Sequence, residues 1–400
     1  MKQTKYNETE VGMVPEDWEE TVLGDKIELC YGKSLPREKR AGGIIPVYGS
    51  NGITGSHSVS LVKGPGIIVG RKGSVGEVVF SEKDFWPIDT TYFVRLRSKG
   101  DLRFWYYLLN TINLNKMNSH SAVPGLNRDV VYALTARVPE AAEQKSIAKV
   151  LSDLDAKIEL NQQMNKTLES IGQALFKRWF VDFEFPDENG SPYKSSGGEM
   201  VDSELGKIPK GWEVKPIDEI ATFLNGLALQ KYPAKNDNYL PVIKIRELKQ
   251  GITDCCDKAS RDIPKEYLIQ DGDLLFSWSG SLEVVFWMFG EGALNQHLFK
   301  VTSEKYPKWF YYYWIKHYLP QYRHIAKGKA TTMGHIQRKH LTESLVSVPP
   351  SGCLGEMTVV LFPLIEKIIN LGIETQGLSQ IRDSLLPRLM SGRIRVEVGS

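Results

Sequence analysis

Short apolar runs, broken by Gly, Pro, Asn and Ser, fill the early part of the chain. GIIVG (66–70), GEVVF (76–80) and TTYFVRL (90–96) are examples. The same texture returns in YLPVIKI (239–245) and GDLLFSW (272–278). Runs of that length between turn residues read as strands. One aromatic-rich stretch in each region, 102–112 and 307–319, carries large side chains at helical spacing and predicts a buried helix.

A different pattern follows each strand-rich region. From Glu143 no proline occurs until Pro186, and Gly172 is the lone glycine. Ile147, Leu151, Leu154, Ile158, Asn161, Asn165, Leu168, Gly172, Leu175 and Trp179 recur at alternating steps of four and three. That is a heptad seam with polar positions in its middle. The same register later gives Leu361, Leu364, Ile368, Leu371, Thr375, Leu378, Arg382, Leu385 and Leu389. Matched polar positions in two seams predict that the helices pair with each other. The alternative is that each packs only on its own domain. Pro363 either occupies the first turn of the second helix or kinks it.

The two halves are copies. VGMVPEDWEE (11–20) returns as LGKIPKGWEV (205–214), and GSVGEVVF (73–80) as GSLEVVF (280–286). LNRDVVYALTARVP (126–139) matches IQRKHLTESLVSVP (336–349), and LESIGQALFKR (168–178) matches LSQIRDSLLPR (378–388). The offset grows along the repeat, so the second copy carries extra residues in its middle. The expected organisation is a first mixed domain at 1–140, a long helix at 141–182, a polar Gly/Ser/Pro linker at 183–205, a second domain at 206–350 and a second long helix at 351–392. The fold class is α+β with internal duplication.

Composition adds little to this. The chain has 400 residues, 42% hydrophobic and 24% charged, as in an ordinary soluble protein. No apolar run is long enough to suggest a membrane span, and the polar start MKQTKYNETE does not resemble a signal peptide. Four cysteines without a C-x-x-C pair support neither a zinc site nor a disulfide framework, which fits a reduced cytoplasmic protein. Net charge is only +2, but its distribution is uneven. No acid occurs between Glu38 and Glu77, between Asp101 and Asp129, or between Glu304 and Glu343, while Lys, Arg and His recur there. Basic loops rich in Ser, Thr, Asn and Gly suit contacts to phosphate and to base edges. The competing reading is a solvated surface that happens to be basic.

Catalytic signatures are missing. There is no phosphate-binding GxxxxGK[ST] loop, no HExxH and no GxSxG. Pro186-Asp187 with Glu213-Val214-Lys215 loosely fits a metal-dependent nuclease. The first copy has Glu19-Glu20-Thr21 at the equivalent place, without the lysine.

The segments from Ala122 to Phe180, TTMGHIQRKHLTESLVSVP (331–349) and IRDSLLPRLMSGRIRV (381–396) resemble the DNA specificity subunits of type I restriction–modification systems. The resemblance covers nearly the whole chain. It implies two mixed α/β target-recognition domains separated by an antiparallel pair of long coiled-coil helices. It implies no catalysis and no cofactor in this chain. Two modification (methyltransferase) subunits would dock on the helices and restriction subunits would join them. S-adenosylmethionine, ATP and Mg²⁺ would be used by those partners. One departure is PPSGCLGEMTVVLFP (349–363), where the first copy has the more usual PEAAEQKSIAKVL (139–151).

Two diverged copies should read two different half-sites of double-stranded DNA. Candidate contacts in the first copy are His57, Arg71, Lys72, His120, Asn127 and Arg128. In the second they are Trp278, Ser279, Lys327, Lys329, Thr331, Thr332, Gln337 and Arg338. Arg128 and Arg338 hold equivalent places, as expected of a shared phosphate contact. Leu154, Ile158, Leu168, Leu175, Leu364, Ile368, Leu378, Leu385 and Leu389 are candidates for helix pairing or partner docking, with the aromatic run Phe176, Trp179 and Phe180. The run ALFKRWFVDFEF (174–185) has more large apolar residues than one seam needs. It serves either partner docking or burial against the neighbouring domain. A free-standing DNA-binding regulator and a self-contained nuclease are the alternatives in function.

Overall fold

The computed structural model describes residues 6–9, 12–117, 125–328 and 334–397. His120, Lys329, Thr331 and Thr332 lie outside them. The chain divides into two compact bodies. The first comprises 1–157 and 378–400, the second 158–377. The division runs through both long helices. Each body therefore combines one strand-rich copy with a length of each helix, whereas the sequence pattern set the helices apart from the domains.

In the first body the central sheet has β1 (Ile27–Tyr31), β2 (Gly66–Gly70), β3 (Val78–Ser81) and β4 (Thr91–Leu96). All neighbours are antiparallel, in the order β1-β4-β2-β3. Helix α1 (Leu102–Thr111) covers it, begun by Asp101, whose carboxylate accepts from the Phe104 amide. Helix α2 (Ala141–Phe176) starts in this body.

The second body repeats this plan. β5 (Thr222–Asn225), β6 (Leu274–Ser277), β7 (Val284–Phe286) and β8 (Leu298–Thr302) take the order β5-β8-β6-β7. Helix α3 (Lys308–Lys327) runs past the predicted end and through Pro320. Tyr322 and Ala326, beyond the proline, are buried and hold that last stretch to the core. Helix α4 (Ser351–Met390) starts well before Pro363, so Pro363 is not in its first turn. The middle of the second copy holds the helix Ile245–Gln250 and a second four-stranded sheet. The first copy has a three-stranded sheet of Ile45–Gly49, Gly52–His57 and Trp86–Pro87 in that place.

The segment 183–205 is built rather than loose. Phe183 and Phe185 are buried, and Phe185 stacks on Trp212 at 5.1 Å. Asp187 Oδ1 accepts from the amides of Asn189 and Ser191, closing its own turn. Met200–Ser203 pairs with Gly206–Pro209, as Tyr6–Thr9 pairs with Gly12–Pro15 in the first copy. The repeat thus begins before residue 206. The Gly and Ser content marks turns between anchored aromatics. Among the described residues, no helix is long and apolar enough to cross a membrane.

Candidate nucleic-acid interface

The two central sheets superpose in register, residue for residue. Tyr92 of β4 faces Tyr31 on one side and Val69 on the other. Phe299 of β8 faces Asn225 and Phe276. Tyr31 therefore corresponds to Asn225, Tyr92 to Phe299, and Arg71, just after β2, to Trp278, just after β6. Backbone bonds repeat the equivalence. The Arg71 amide donates to Thr90 O at 2.9 Å and the Trp278 amide to His297 O at 3.3 Å. The Leu126 amide donates to Arg71 O at 2.9 Å and the Ile336 amide to Trp278 O at 3.0 Å.

Glycines enforce the shape. A Cβ on Gly32 would meet Ile88 O at 2.1 Å, and one on Gly226 would meet Asn295 O at 2.2 Å. No side chain fits there, so the strand ends approach the preceding loop in the same way in both copies. Gly73 and Gly280 both take left-handed backbone, at φ of +81° and +63°.

In the first body this frame gathers Tyr31, Arg71, Tyr92 and Arg128. The Arg71 guanidinium lies 5.1 Å from the Tyr31 ring and the Arg128 guanidinium 4.8 Å from it. Tyr31 is 51% exposed, so both cations border solvent. Arg71 Nε and Nη2 donate to Asp89 O, at 3.1 and 2.7 Å, which fixes the plane of the fork. Burial pushes the Tyr92 phenol up to about 12, with the nearby Tyr31 adding to it. It stays protonated and donates to Leu126 O at 3.0 Å. Lys72 stands exposed beside Arg71.

In the second body the same four places hold Asn225, Trp278, Phe299 and Arg338. Trp278 Nε1 donates to Asn225 Oδ1 at 2.8 Å, and its ring lies 6.0 Å from Phe299. Arg338 reaches over Phe299 at 5.8 Å and donates to Phe223 O. Close by, a cavity of about 370 Å³ is lined by Gly280, Ser281, Leu282, Arg323, Ala326, Lys327 and Gly334.

Among the described candidates, the structure brings some together in each body and separates others. Arg71 and Arg128 meet at Tyr31, with Lys72 exposed next to Arg71 in the chain, Trp278 and Arg338 both reach Phe299, and Lys327 borders the neighbouring cavity. His57 does not join them. The turn of its hairpin, at Ser50, lies against Gly73, and His57 sits at the far end of Gly52–His57, about 17 Å away at ~3.4 Å per residue. There its Nδ1 accepts from the Ala41 amide. Ser279 is buried, with its hydroxyl 3.1 Å from His297 Nδ1, and is not a surface contact. Asn127 and Gln337 are the N-caps of the short helices that begin at Arg128 and Arg338; Asn127 Oδ1 accepts from the Asp129 amide, and the Gln337 amide donates to His340 Nδ1. Tyr31, Tyr92, Asn225 and Phe299 were missed. The shared Gly-x-x-Leu of YGKSL (31–35) and NGLAL (225–229) was the signal that aligned them.

The seam residues divide between the bodies. In the first, Leu389 is buried and Leu385 packs on a core that contains Ile147 and Leu151. Arg382 Nη1 donates to Asp155 at 2.9 Å. In the second, Ile368 is buried, and Leu168, Leu175 and Leu364 pack on its core. Ile158 is buried, and Leu154 and Leu378 are half-exposed. Asn161 is fully buried and donates to Glu374 at 3.0 Å. Phe176, Trp179 and Phe180 are 4%, 7% and 1% exposed. Phe180 meets Trp212, Trp309, Phe310 and Trp314 at 5.5–6.1 Å between ring centres. These three serve the core of the second body. Their burial fits the reading that placed them against the neighbouring domain.

The nuclease-like residues have other occupations. Asp187 closes its turn, and Glu213 and Lys215 form an ion pair with each other at 2.7 Å.

A family model described as the type I restriction modification DNA specificity domain matches the chain twice, at residues 15–170 and 209–376. The chain belongs to this family. The specificity subunit of the type I restriction enzyme MjaIX from Methanocaldococcus jannaschii is 28% identical to this specificity chain, over 99% of it and 98% of the relative. The HindI specificity subunit of Haemophilus influenzae is 24% identical over 68% and 71%. The crystal structure of a type I restriction-modification S subunit from M. genitalium has the same fold. Its TM-score is 0.65 at 16% identity, covering 93% of this specificity chain and 96% of that one.

Proposed function

We propose that this chain is the non-catalytic DNA-reading subunit of a type I restriction–modification complex. The observation that carries the reading is the repeated cluster at one end of each central sheet: an invariant frame, one arginine common to both copies, and different side chains around it. Residues 1–140 and 206–350 are the two recognition domains, each reading one half of a bipartite, asymmetric target. Helices at 141–182 and 351–392 pair antiparallel and set the separation of the half-sites. The bonds Asp155–Arg382 in the first body and Asn161–Glu374 in the second support that pairing. Two modification subunits and the restriction subunits are the partners, and S-adenosylmethionine, ATP and Mg²⁺ act in them.

The test is to produce the chain with its modification subunit, map methylated adenines in the host genome, and measure DNA binding by the purified complex. A two-part motif with unread positions between the parts is expected. Two phosphate contacts alone give a salt slope of about −1.8, so affinity should fall at least about tenfold from roughly 50 to 200 mM salt. Salt-independent binding overturns the reading. So does cleavage by the chain alone with Mg²⁺, which is the nuclease outcome. Tight site-specific binding by the chain alone, with no effect on methylation, is the regulator outcome.

A further inference from the structure

Around each cluster the backbone is the same and two side chains change class, Tyr31 to Asn225 and Arg71 to Trp278. Both copies keep the close-approach glycine (Gly32, Gly226), the left-handed glycine (Gly73, Gly280) and the arginine that opens a short helix (Arg128, Arg338). Tyr31 and Asn225 each hold their neighbour, by stacking under Arg71 and by accepting from Trp278 Nε1, and the side chain so held is at position 71/278. It is a guanidinium in the first copy and an indole in the second.

From this we infer that position 71/278 is the base-reading position of each recognition domain, with Arg71 selecting a guanine and Trp278 selecting a thymine, while Arg128 and Arg338 hold backbone phosphate. The inference rests on the DNA-reading function proposed above. It assigns the reading chemistry within that function.

The chemistry follows from which donors are engaged. Arg71 gives Nε and one N–H of Nη2 to Asp89 O. No bond from Nη1 to a described residue accompanies them. The open edge is thus the end of the fork, Nη1 with the second N–H of Nη2. Two parallel donors in one plane match O6 and N7 of guanine in the major groove, and no other base offers two acceptors there. Stacking on Tyr31 and the fixed carbonyl hold that plane before DNA arrives, which lowers the ordering cost. Trp278 has a single N–H, and Asn225 Oδ1 takes it at 2.8 Å. Its half-buried ring, packed beside Phe299 and His297, has only an apolar surface left to offer. The thymine methyl is the apolar group that the major groove presents. Arg128 and Arg338 are alike in both copies. A contact that is the same for two different half-sites carries no sequence information, as expected of phosphate.

The experiment is methylome mapping in cells that produce the chain with its modification subunit, for the wild type and for R71A, R71K, W278A, R128A and R338A. In the wild type, the half-site affected by the Arg71 variants should contain an invariant guanine. R71A should make that one position degenerate, with a roughly ten- to hundredfold loss of discrimination, and leave the other half-site unchanged. R71K keeps the charge but lacks the planar fork, and should relax the same position. W278A should relax a thymine in the other half-site. R128A and R338A should lower methylation at all sites without altering the motif. Co-purification and melting temperature report whether each variant folds, and R71K carries the test if R71A does not. An unchanged motif in a folded Arg71 variant overturns the assignment, as does an affected position other than guanine. An Arg128 or Arg338 variant that rewrites the motif overturns it too. A wild-type chain that directs no methylation, or a single contiguous motif, instead overturns the function on which the inference rests.

Discussion

Arg395 shows how much one residue can carry. Its guanidinium donates to Glu143 at 2.6 and 2.7 Å and to Asp17 at 2.9 Å twice. Glu143 is 5% exposed and also accepts from Trp18 Nε1. Arg395→Ala leaves that carboxylate buried without its cation, and breaking such a pair costs about 3–5 kcal/mol when fully buried. With Arg395 itself partly solvated, roughly 2–3 kcal/mol is expected for the first body, read as a lower denaturation midpoint. Arg395 also holds the Asp17 carboxyl below its usual value of 3.8. A depressed carboxylate contributes stability that is present above its ordinary value and is lost as pH falls through the folded one. Wild-type stability should therefore drop on acidification from about pH 4 downward, and the variant should lack this part of the drop. Equal acid sensitivity of both proteins would contradict the pairing.

At the scale of elements, the end of α2 is a core piece of the second body. Phe180→Ala should cost about 3–5 kcal/mol in that body, measured by thermal or urea unfolding of the chain without partners. If the variant unfolds like the wild type and loses only modification-subunit binding, the burial account fails. Much of this was legible in the sequence. The alternation of four- and three-residue steps from Ile147 located α2, and GIIVG and GDLLFSW located β2 and β6, because each is a local periodic signal. The acid-free windows located Arg71 and Arg128, and the repeat matched Arg128 to Arg338. What was not legible depended on distant partners. Whether Phe176 and Phe180 faced a partner or Trp309 and Trp314 is not decided by spacing. Nor does an amide in a loop reveal that it will cap a helix, as Asn127 does. His57 shared its acid-free window with Arg71, but sequence nearness does not say at which end of a hairpin a residue falls.

At the scale of the whole chain, each strand-rich copy is completed by the end of a long helix. Trp212 packs beneath Phe180, Phe183 and Phe185, which follow α2. Trp18 shares a core with Leu389 and Met390, near the end of α4, and a Cβ on Gly392 would meet its ring at 3.3 Å. A chain stopped after Gly377 keeps every residue of the second body and removes Leu385, Leu389, Met390 and Arg395 from the first. Losing a buried leucine side chain costs about 2–5 kcal/mol, and a domain has only about 5–15 in all. In this truncated chain, hydrogen exchange should be fast throughout residues 12–140 and remain slow in the sheet of β5 to β8. Protection of the first copy in the truncated chain would refute this.

That last dependence bears on synthesis. Domains usually fold in the order in which they leave the ribosome, the N-terminal one first. Here residues made early wait for residues made late, since Arg395 must emerge before Glu143 and Asp17 have their cation. The first copy is thus the later to mature, and a nonsense codon between Gly377 and Leu385 does its harm in that copy rather than in the second, which lies nearer to it in the chain.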